Sequence, residues 1–133
     1  MKRMTTNLIV EAIEPVLPFW EALGFERTAE VPHAGGLGFV GLSRGAAELM
    51  FQTRASLKDD LPEMVPETTD HSALSLFVEV DMPFEELVER IEGTDAEVVV
   101  GDRHTFYGAR EIAVRTPDGL FVVFAAFEDE DAG

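Results

Sequence analysis

Residues 7–25 have the sequence NLIVEAIEPVLPFWEALGF, in which a short strand pattern passes into a helix pattern. The four residues Asn7–Val10 are typical of a strand. The segment 14–23 is predicted to be a helix, because Pro15 suits a first helical turn and Gly24 suits a helix end. Four apolar side chains of this segment share one face: Val16, Phe19, Trp20 and Leu23.

Three strand-like segments follow this helix, and the same order of elements then returns. The three strands are predicted at residues 27–31, 37–43 and 47–53, separated by turns that contain Gly or Pro. In the second half the pattern predicts a strand at 73–80, a helix at 83–91, and strands at 97–100, 110–115 and 120–127. The chain therefore contains a βαβββ pattern twice.

Between the two patterns lies an acidic segment that contains Pro62 and Pro66 and lacks a sustained period of either kind. We interpret it as a linker, which gives module one at about 4–54, a linker at 55–70, module two at about 71–127 and an acidic tail at 128–133. One βαβββ unit has an apolar sheet face and exposed edges, so the two units are expected to pair. The predicted fold class is α+β, a single domain in which two βαβββ modules form curved mixed sheets around a concave trough.

Composition restricts the function. The formal net charge is −16, with 26 acidic and 10 basic residues, which argues against a nucleic-acid partner. The chain has no Cys, and no apolar run is long enough to cross a bilayer, so we expect a cytoplasmic protein without disulfides or thiol chemistry and no membrane partner. The acidity has two interpretations: a solvated surface that aids solubility, or a field that attracts a cationic ligand.

Four short motifs occur in register with the duplicated pattern: FWEALGF at 19–25, AELMFQ at 47–52, YGARE at 107–111 and TPDG at 116–119. Together they resemble signatures of the glyoxalase/bleomycin-resistance/dioxygenase superfamily, within the vicinal oxygen chelate group. The resemblance implies the paired βαβββ fold. It also implies either a metal-dependent enzyme or a metal-free protein that sequesters a small molecule, as in antibiotic resistance.

The resemblance also identifies where a metal ion would be held. Metal-dependent members use one side chain from the first and one from the last strand of each module, commonly His or Glu. The matching positions here are Thr5 or Asn7, then Glu48, Ser75 and Val123. Only Glu48 matches the family's ligands, so we expect no metal cofactor.

The alternative to a metal-free protein is one divalent metal ion bound by Glu48 and His71. His71 precedes Ser75 by four residues, roughly 13 Å along a strand, so a slip or bulge would be needed to bring it into place. His33 and His104 are interpreted as loop residues.

Strand alternation identifies the side chains expected to line the trough. They are Asn7, Ile9, Glu48, Met50, Gln52, Ser75, Phe77, Phe121 and Val123. A carboxylate at Glu48 needs a cation, a hydrogen-bond donor or water. Arg110 is one candidate partner and is also predicted to contact the ligand. The loop 103–108 contributes Phe106 and Tyr107 as candidates for stacking on a flat or cationic ligand, or for a contact between subunits.

Three functions are compatible with these observations. The first is a metal-free protein, a homodimer, that binds or sequesters a cationic or aromatic small molecule. The second is a metal-dependent isomerase, lyase or dioxygenase of the glyoxalase type, in which a cation polarises the substrate's oxygens. The third is a non-catalytic domain for protein association.

Overall fold

A computed structural model describes residues 1–127, and the acidic tail predicted at 128–133 lies outside the described residues. The chain divides into two units, the first Met1–Thr69 and the second beginning at Asp70. Each unit contains one four-stranded mixed sheet, and we call the first unit module one and the second unit module two.

Module one begins with strand β1, Thr6–Val10, and a helix α1, Leu17–Ala22. Strands β2, Glu26–His33, β3, Gly36–Arg44, and β4, Ala47–Thr53, follow. The sheet order is β1-β4-β3-β2, in which β1 pairs with β4 in parallel and the other pairs are antiparallel. The helix predicted at 14–23 consists of a 3-10 turn, Glu14–Val16, and then α1. The prolines within this segment have no backbone N–H to donate to helical hydrogen bonds, which favours a 3-10 turn before α1.

The core of module one lies between α1 and one face of its sheet. Trp20 is completely buried, and its ring meets those of Phe19 and Phe25 edge to face at 5.0 and 5.1 Å between centroids. The indole Nε1 of Trp20 has no hydrogen-bond partner among the described residues. The sheet contributes the alternate buried side chains Leu8, Val10, Val40, Leu42, Leu49 and Phe51.

The segment predicted to be a linker contains a helix, which corrects the sequence interpretation. Helix α2 spans Arg54–Asp60 and a 3-10 turn spans Pro62–Met64. The Thr53 hydroxyl accepts a hydrogen bond from the Ser56 amide at 3.1 Å and caps the helix. Only Leu57 of α2 is buried, so a helix of two turns leaves no periodic apolar pattern in the sequence.

Module two repeats the arrangement. Strand β5, Ser75–Glu79, is followed by helix α3, Phe84–Glu92, and by the strands β6, Glu97–His104, β7, Ala109–Arg115, and β8, Phe121–Phe127. The sheet order is β5-β8-β7-β6, again with a parallel first pair. Helical spacing predicts an apolar face of Phe84, Leu87, Val88 and Ile91, and all of these are buried except Val88, which is half-buried.

The prediction of an α+β fold with two βαβββ modules is confirmed. In residues 1–127 the structure has no helix long and apolar enough to span a membrane.

Candidate functional site

The face of the module-one sheet opposite the core carries the residues that strand alternation predicted. Asn7 and Ile9 of β1 pair with Met50 and Gln52 of β4, and Glu48 lies on the same face two residues before Met50. On the other side of β4, the residues opposite Gln52, Met50 and Glu48 are Phe39, Gly41 and Ser43 of β3. We call this surface the open face of module one.

A cavity of about 600 Å³ lies on the open face, between the sheet and α2. This volume is in the range typical of small-molecule sites. Three of its lining residues were predicted to bind a ligand, namely Asn7, Met50 and Gln52. The lining combines apolar, amide and acidic side chains: Asn7, Val31, His33, Phe39, Met50, Gln52, Ser56, Asp59 and Asp60.

A chain of hydrogen bonds crosses the floor of this cavity. The Asn7 side-chain amide donates to Oε1 of Gln52 at 3.1 Å, and the Gln52 amide donates to Oγ of Ser56 at 3.3 Å. The chain connects β1, β4 and α2, and it leaves Oδ1 of Asn7 and the Ser56 hydroxyl hydrogen available to a ligand. The amides are therefore oriented before a ligand arrives.

His33 lines the cavity, which the sequence analysis did not predict. It was interpreted as a loop residue, but it ends β2, and Nε2 lies 2.7 Å from Oδ2 of Asp59 on α2. Gly38 permits this contact, because a Cβ atom there would lie 2.5 Å from Cβ of His33. The signal in the sequence was the pair Ala34-Gly35. These two residues have positive φ values of 51° and 86°, and they form a two-residue hairpin turn directly after His33.

Glu48 lies at a second, smaller cavity of about 190 Å³ on the same face. Its Oε2 accepts a hydrogen bond from the Thr5 hydroxyl at 3.2 Å and lies 3.4 Å from Nε of Arg3. The carboxylate therefore already has a donor and a cation within module one.

The side chains at the family's metal positions do not fit a divalent cation. Glu48 is paired with Arg3, Thr5 offers only a hydroxyl, and Val123 in module two has no donor atom. Within residues 1–127, no group of three or more His, Cys, Asp or Glu side chains is placed to hold a metal ion.

The open face of module two is aromatic. Ser75 and Phe77 of β5 pair with Phe121 and Val123 of β8, so the four predicted residues share this face. Phe77 and Phe127 lie 6.4 Å apart between ring centroids, and Phe127 lies 6.2 Å from Tyr107. Phe106 packs on Tyr107 at 5.0 Å and is otherwise almost fully exposed. The Arg115 guanidinium covers the ring of Phe121 at 5.5 Å.

Glu111 is a second residue that the sequence analysis missed. It is buried on the open face of module two, where Oε1 accepts hydrogen bonds from Arg103 at 3.1 and 2.7 Å and Oε2 accepts one from the Tyr107 hydroxyl. Burial works to raise the pKa of Glu111, but the bonds from Tyr107 and Arg103 outweigh it, so the pKa lies below its usual range. The bond to the carboxylate raises the pKa of Tyr107.

Arg110 lies on the opposite face of the module-two sheet, which corrects its placement with the predicted lining residues. Its guanidinium stacks over the ring of Phe84 at 4.4 Å and pairs with Asp102 and Glu85, each at 2.6 Å. Side chains alternate along a strand, so Glu111 and not Arg110 shares the face of Val123. The turn 116–119 connects β7 to β8. Counting residues back from Val123 through this turn would have assigned Glu111, and not Arg110, to the open face from the sequence alone.

His71 is held inside module two. Its Nδ1 lies 3.0 Å from Oδ2 of Asp118, and both side chains are largely buried. The Thr116 hydroxyl donates to the other carboxylate oxygen of Asp118 at 2.6 Å. His71 therefore joins the start of module two to the turn between β7 and β8. His104, also interpreted as a loop residue, is the last residue of β6.

Comparisons with known proteins agree with this architecture. The model of the Glyoxalase/Bleomycin resistance protein/Dioxygenase superfamily matches residues 4–124. A glyoxalase-related enzyme from Fulvimarina pelagi has a similar structure, with 18% identity, a TM-score of 0.74, and coverage of 95% of this chain and 88% of that one. TioX from Micromonospora sp. ML1 has 19% identity and a TM-score of 0.74 over 96% of this chain and 100% of its own.

A glyoxalase/bleomycin resistance protein/dioxygenase family enzyme from Burkholderia phytofirmans PsJN is also similar, with 16% identity and a TM-score of 0.75 over 93% of this chain and 97% of that chain. Identities this low support the fold alone. No curated protein matches the sequence significantly. Because the superfamily model covers nearly the whole sequence, the chain belongs to the Glyoxalase/Bleomycin resistance protein/Dioxygenase superfamily.

Proposed function

We propose that the chain binds or sequesters a small organic molecule on the open face of module one, without a metal ion. The observation that carries this proposal is the cavity of about 600 Å³, where apolar side chains lie beside two hydrogen-bonded amides and a hydroxyl. Apolar walls with a few oriented polar groups are typical of ligand sites. Glu48 lies on the same face at the adjoining smaller cavity.

The charges of this cavity favour a cationic or neutral aromatic ligand over an anion. Asp59 and Asp60 line its rim at the C-terminal end of α2, where the helix dipole also disfavours negative charge. Phe39 and Met50 offer apolar surface beside them. A ligand cation would be attracted by both carboxylates and by the net charge of −16, and an anion would be repelled.

The test is a calorimetric screen with matched cationic, neutral and anionic aromatic compounds, followed by variants on any compound that binds. Met50→Ala should weaken binding, because Met50 lines the cavity. Met64→Ala is the matched control, since Met64 is exposed in the 3-10 turn and lies outside the cavity lining. Preferred binding of anions, or equal effects of the two methionine variants, would contradict the proposal.

The metal-dependent isomerase, lyase or dioxygenase is separated from this proposal by thermal melting with nickel, zinc or manganese. A ligand at a hundred times its dissociation constant stabilises a native protein by about 2.7 kcal/mol, which a melt resolves. We expect no rise in melting temperature. A rise that Glu48→Gln abolishes would favour the metal-dependent enzyme.

We also propose that the chain forms a homodimer. The exposed aromatic side chains of module two support this, since Phe77, Phe106, Tyr107 and Phe127 form a continuous apolar row. Light scattering should give about twice the 14.6 kDa chain mass. A monomer mass at working concentrations would argue against it.

A further inference from the structure

We propose that His33 and Asp59 form a metal-independent general base that removes a proton from an activated C–H bond of a molecule bound in the module-one cavity. This inference rests on the proposed function, because it requires the cavity to be occupied. The substrate class is a neutral or cationic aromatic compound with an acidic C–H bond, and no cofactor takes part.

The geometry of the pair assigns the two nitrogens of His33 different roles. Asp59 Oδ2 lies 2.7 Å from Nε2, so the carboxylate accepts the Nε2 hydrogen, and whenever the ring is neutral this bond selects the Nε2–H tautomer. Nδ1 then carries the lone pair, and it has no hydrogen-bond partner within residues 1–127. His33 is also one of the residues that line the cavity, which places its imidazole at the proposed site.

Three elements hold the imidazole in place. The tight turn after β2 fixes the backbone of His33, Gly38 on β3 leaves room for its side chain, and α2 supplies Asp59. The carboxylates of Asp59 and Asp60 and the C-terminal end of α2 would stabilise the imidazolium that forms when His33 accepts a proton. Asp59 is thus a positioning residue, and His33 is the residue that contacts the reacting atom.

Nitrobenzisoxazole is a suitable probe, because it is flat, uncharged and reports proton abstraction directly. The C–H bond beside its ring nitrogen breaks, and the proton passes to Nδ1 of His33. The electron pair of that bond forms a carbon–nitrogen triple bond while the nitrogen–oxygen bond breaks, and the oxygen leaves as a coloured phenolate. His33 then returns the proton to water, so no other reactant is consumed.

Steady-state rates with this probe test the proposal on the full chain. His33→Gln should lower kcat/KM by about a hundredfold, the lower part of the range for general bases. Asp59→Asn should lower kcat with little change in KM. His104→Gln is the matched control and should leave the rate unchanged, since His104 lies on the edge strand of module two outside the cavity.

Chemical rescue distinguishes a base from a structural residue. Added imidazole should restore much of the rate to His33→Ala, because it can occupy the space of the missing ring, and it should not accelerate His33→Gln to the same degree. Equal rates for the unmodified chain and His33→Gln would overturn the proposal.

Binding is measured separately with the methylated probe, which lacks the reactive C–H bond. If this compound binds and Met50→Ala weakens binding, but His33→Gln reacts as fast as the unmodified chain, the inference fails and the proposed function stands. If the compound does not bind, both the proposed function and this inference are contradicted for this ligand class.

Discussion

The two modules have the same strand order and the same parallel first pair, yet their open faces carry different chemistry. Module one presents amides, an imidazole and carboxylates around a cavity. Module two presents a row of aromatic rings above a buried carboxylate. The buried faces, which are apolar in both modules, determine the shared architecture, and the open faces are free to differ.

The carboxylates of Glu48 and Glu111 show the same contrast at single residues. The Glu48 side chain is 29% exposed and its cation, Arg3, is 69% exposed. The Glu111 side chain is only 2% exposed and accepts hydrogen bonds from Arg103 and Tyr107 on both oxygens. Glu111 is therefore a structural anchor for the aromatic loop, whereas Glu48 remains accessible.

The largest expected effect is on stability. Glu111→Ala should lower the free energy of unfolding by about 3 kcal/mol, because it removes charge-assisted hydrogen bonds and leaves a buried cavity. Glu48→Ala should cost at most about 1 kcal/mol, as for exposed ion pairs. Urea unfolding of both variants measures the difference, and similar losses would show that burial does not distinguish these carboxylates.

Acidic pH should remove part of the stabilisation that Glu111 provides. The pKa of Glu111 in the folded chain lies below the ordinary value of 4.5. Its stabilising contribution is therefore fully present above about pH 4.5 and is lost as the pH falls through the folded pKa. Urea unfolding at a series of acidic pH values should show a smaller loss for Glu111→Gln than for the unmodified chain, and parallel curves would contradict the lowered pKa.

The two hairpin turns should respond in opposite directions. Gly119, in the turn of module two, has a φ of 85°, so Gly119→Ala should cost about 1 kcal/mol. Ala34, in module one, has a φ of 51°, and Ala34→Gly should raise stability by about 0.5 kcal/mol because the left-handed conformation no longer strains the residue. Thermal melts of both variants compare the turns, and a loss for Ala34→Gly would show that its turn is unstrained.

The smallest expected effect concerns Phe106. Its side chain is 99% exposed, so Phe106→Ser should change the free energy of unfolding by no more than about 0.5 kcal/mol. The same variant should reduce self-association if the aromatic row of module two forms the proposed dimer interface. A substantial loss of stability, measured on the monomer in dilute solution, would indicate that this row serves folding.

Much of the fold follows from the sequence because the buried faces have clear periodicity. Strand β4 is observed at the predicted residues 47–53, and three of the four residues predicted for the apolar face of α3 are buried. The helix α2 was not predictable in this way, because one buried Leu57 and a Thr53 cap give no period.

The site was only partly predictable. Asn7, Met50 and Gln52 follow from alternation along two paired strands. His33 did not, because Pro32 suggested the end of a strand, whereas β2 is an edge strand and tolerates proline. Its contact with Asp59 depends on where α2 packs, which no local pattern encodes.

The chain also carries two intrinsic optical reporters, one in each module. The chain has one Trp and one Tyr, and they are Trp20 in module one and Tyr107 in module two. Trp20 is completely buried, so its emission should be blue-shifted and should move to the red when module one unfolds. The ultraviolet absorption of Tyr107 should change when its bond to Glu111 breaks. Unfolding of each half can thus be followed in the unlabelled chain.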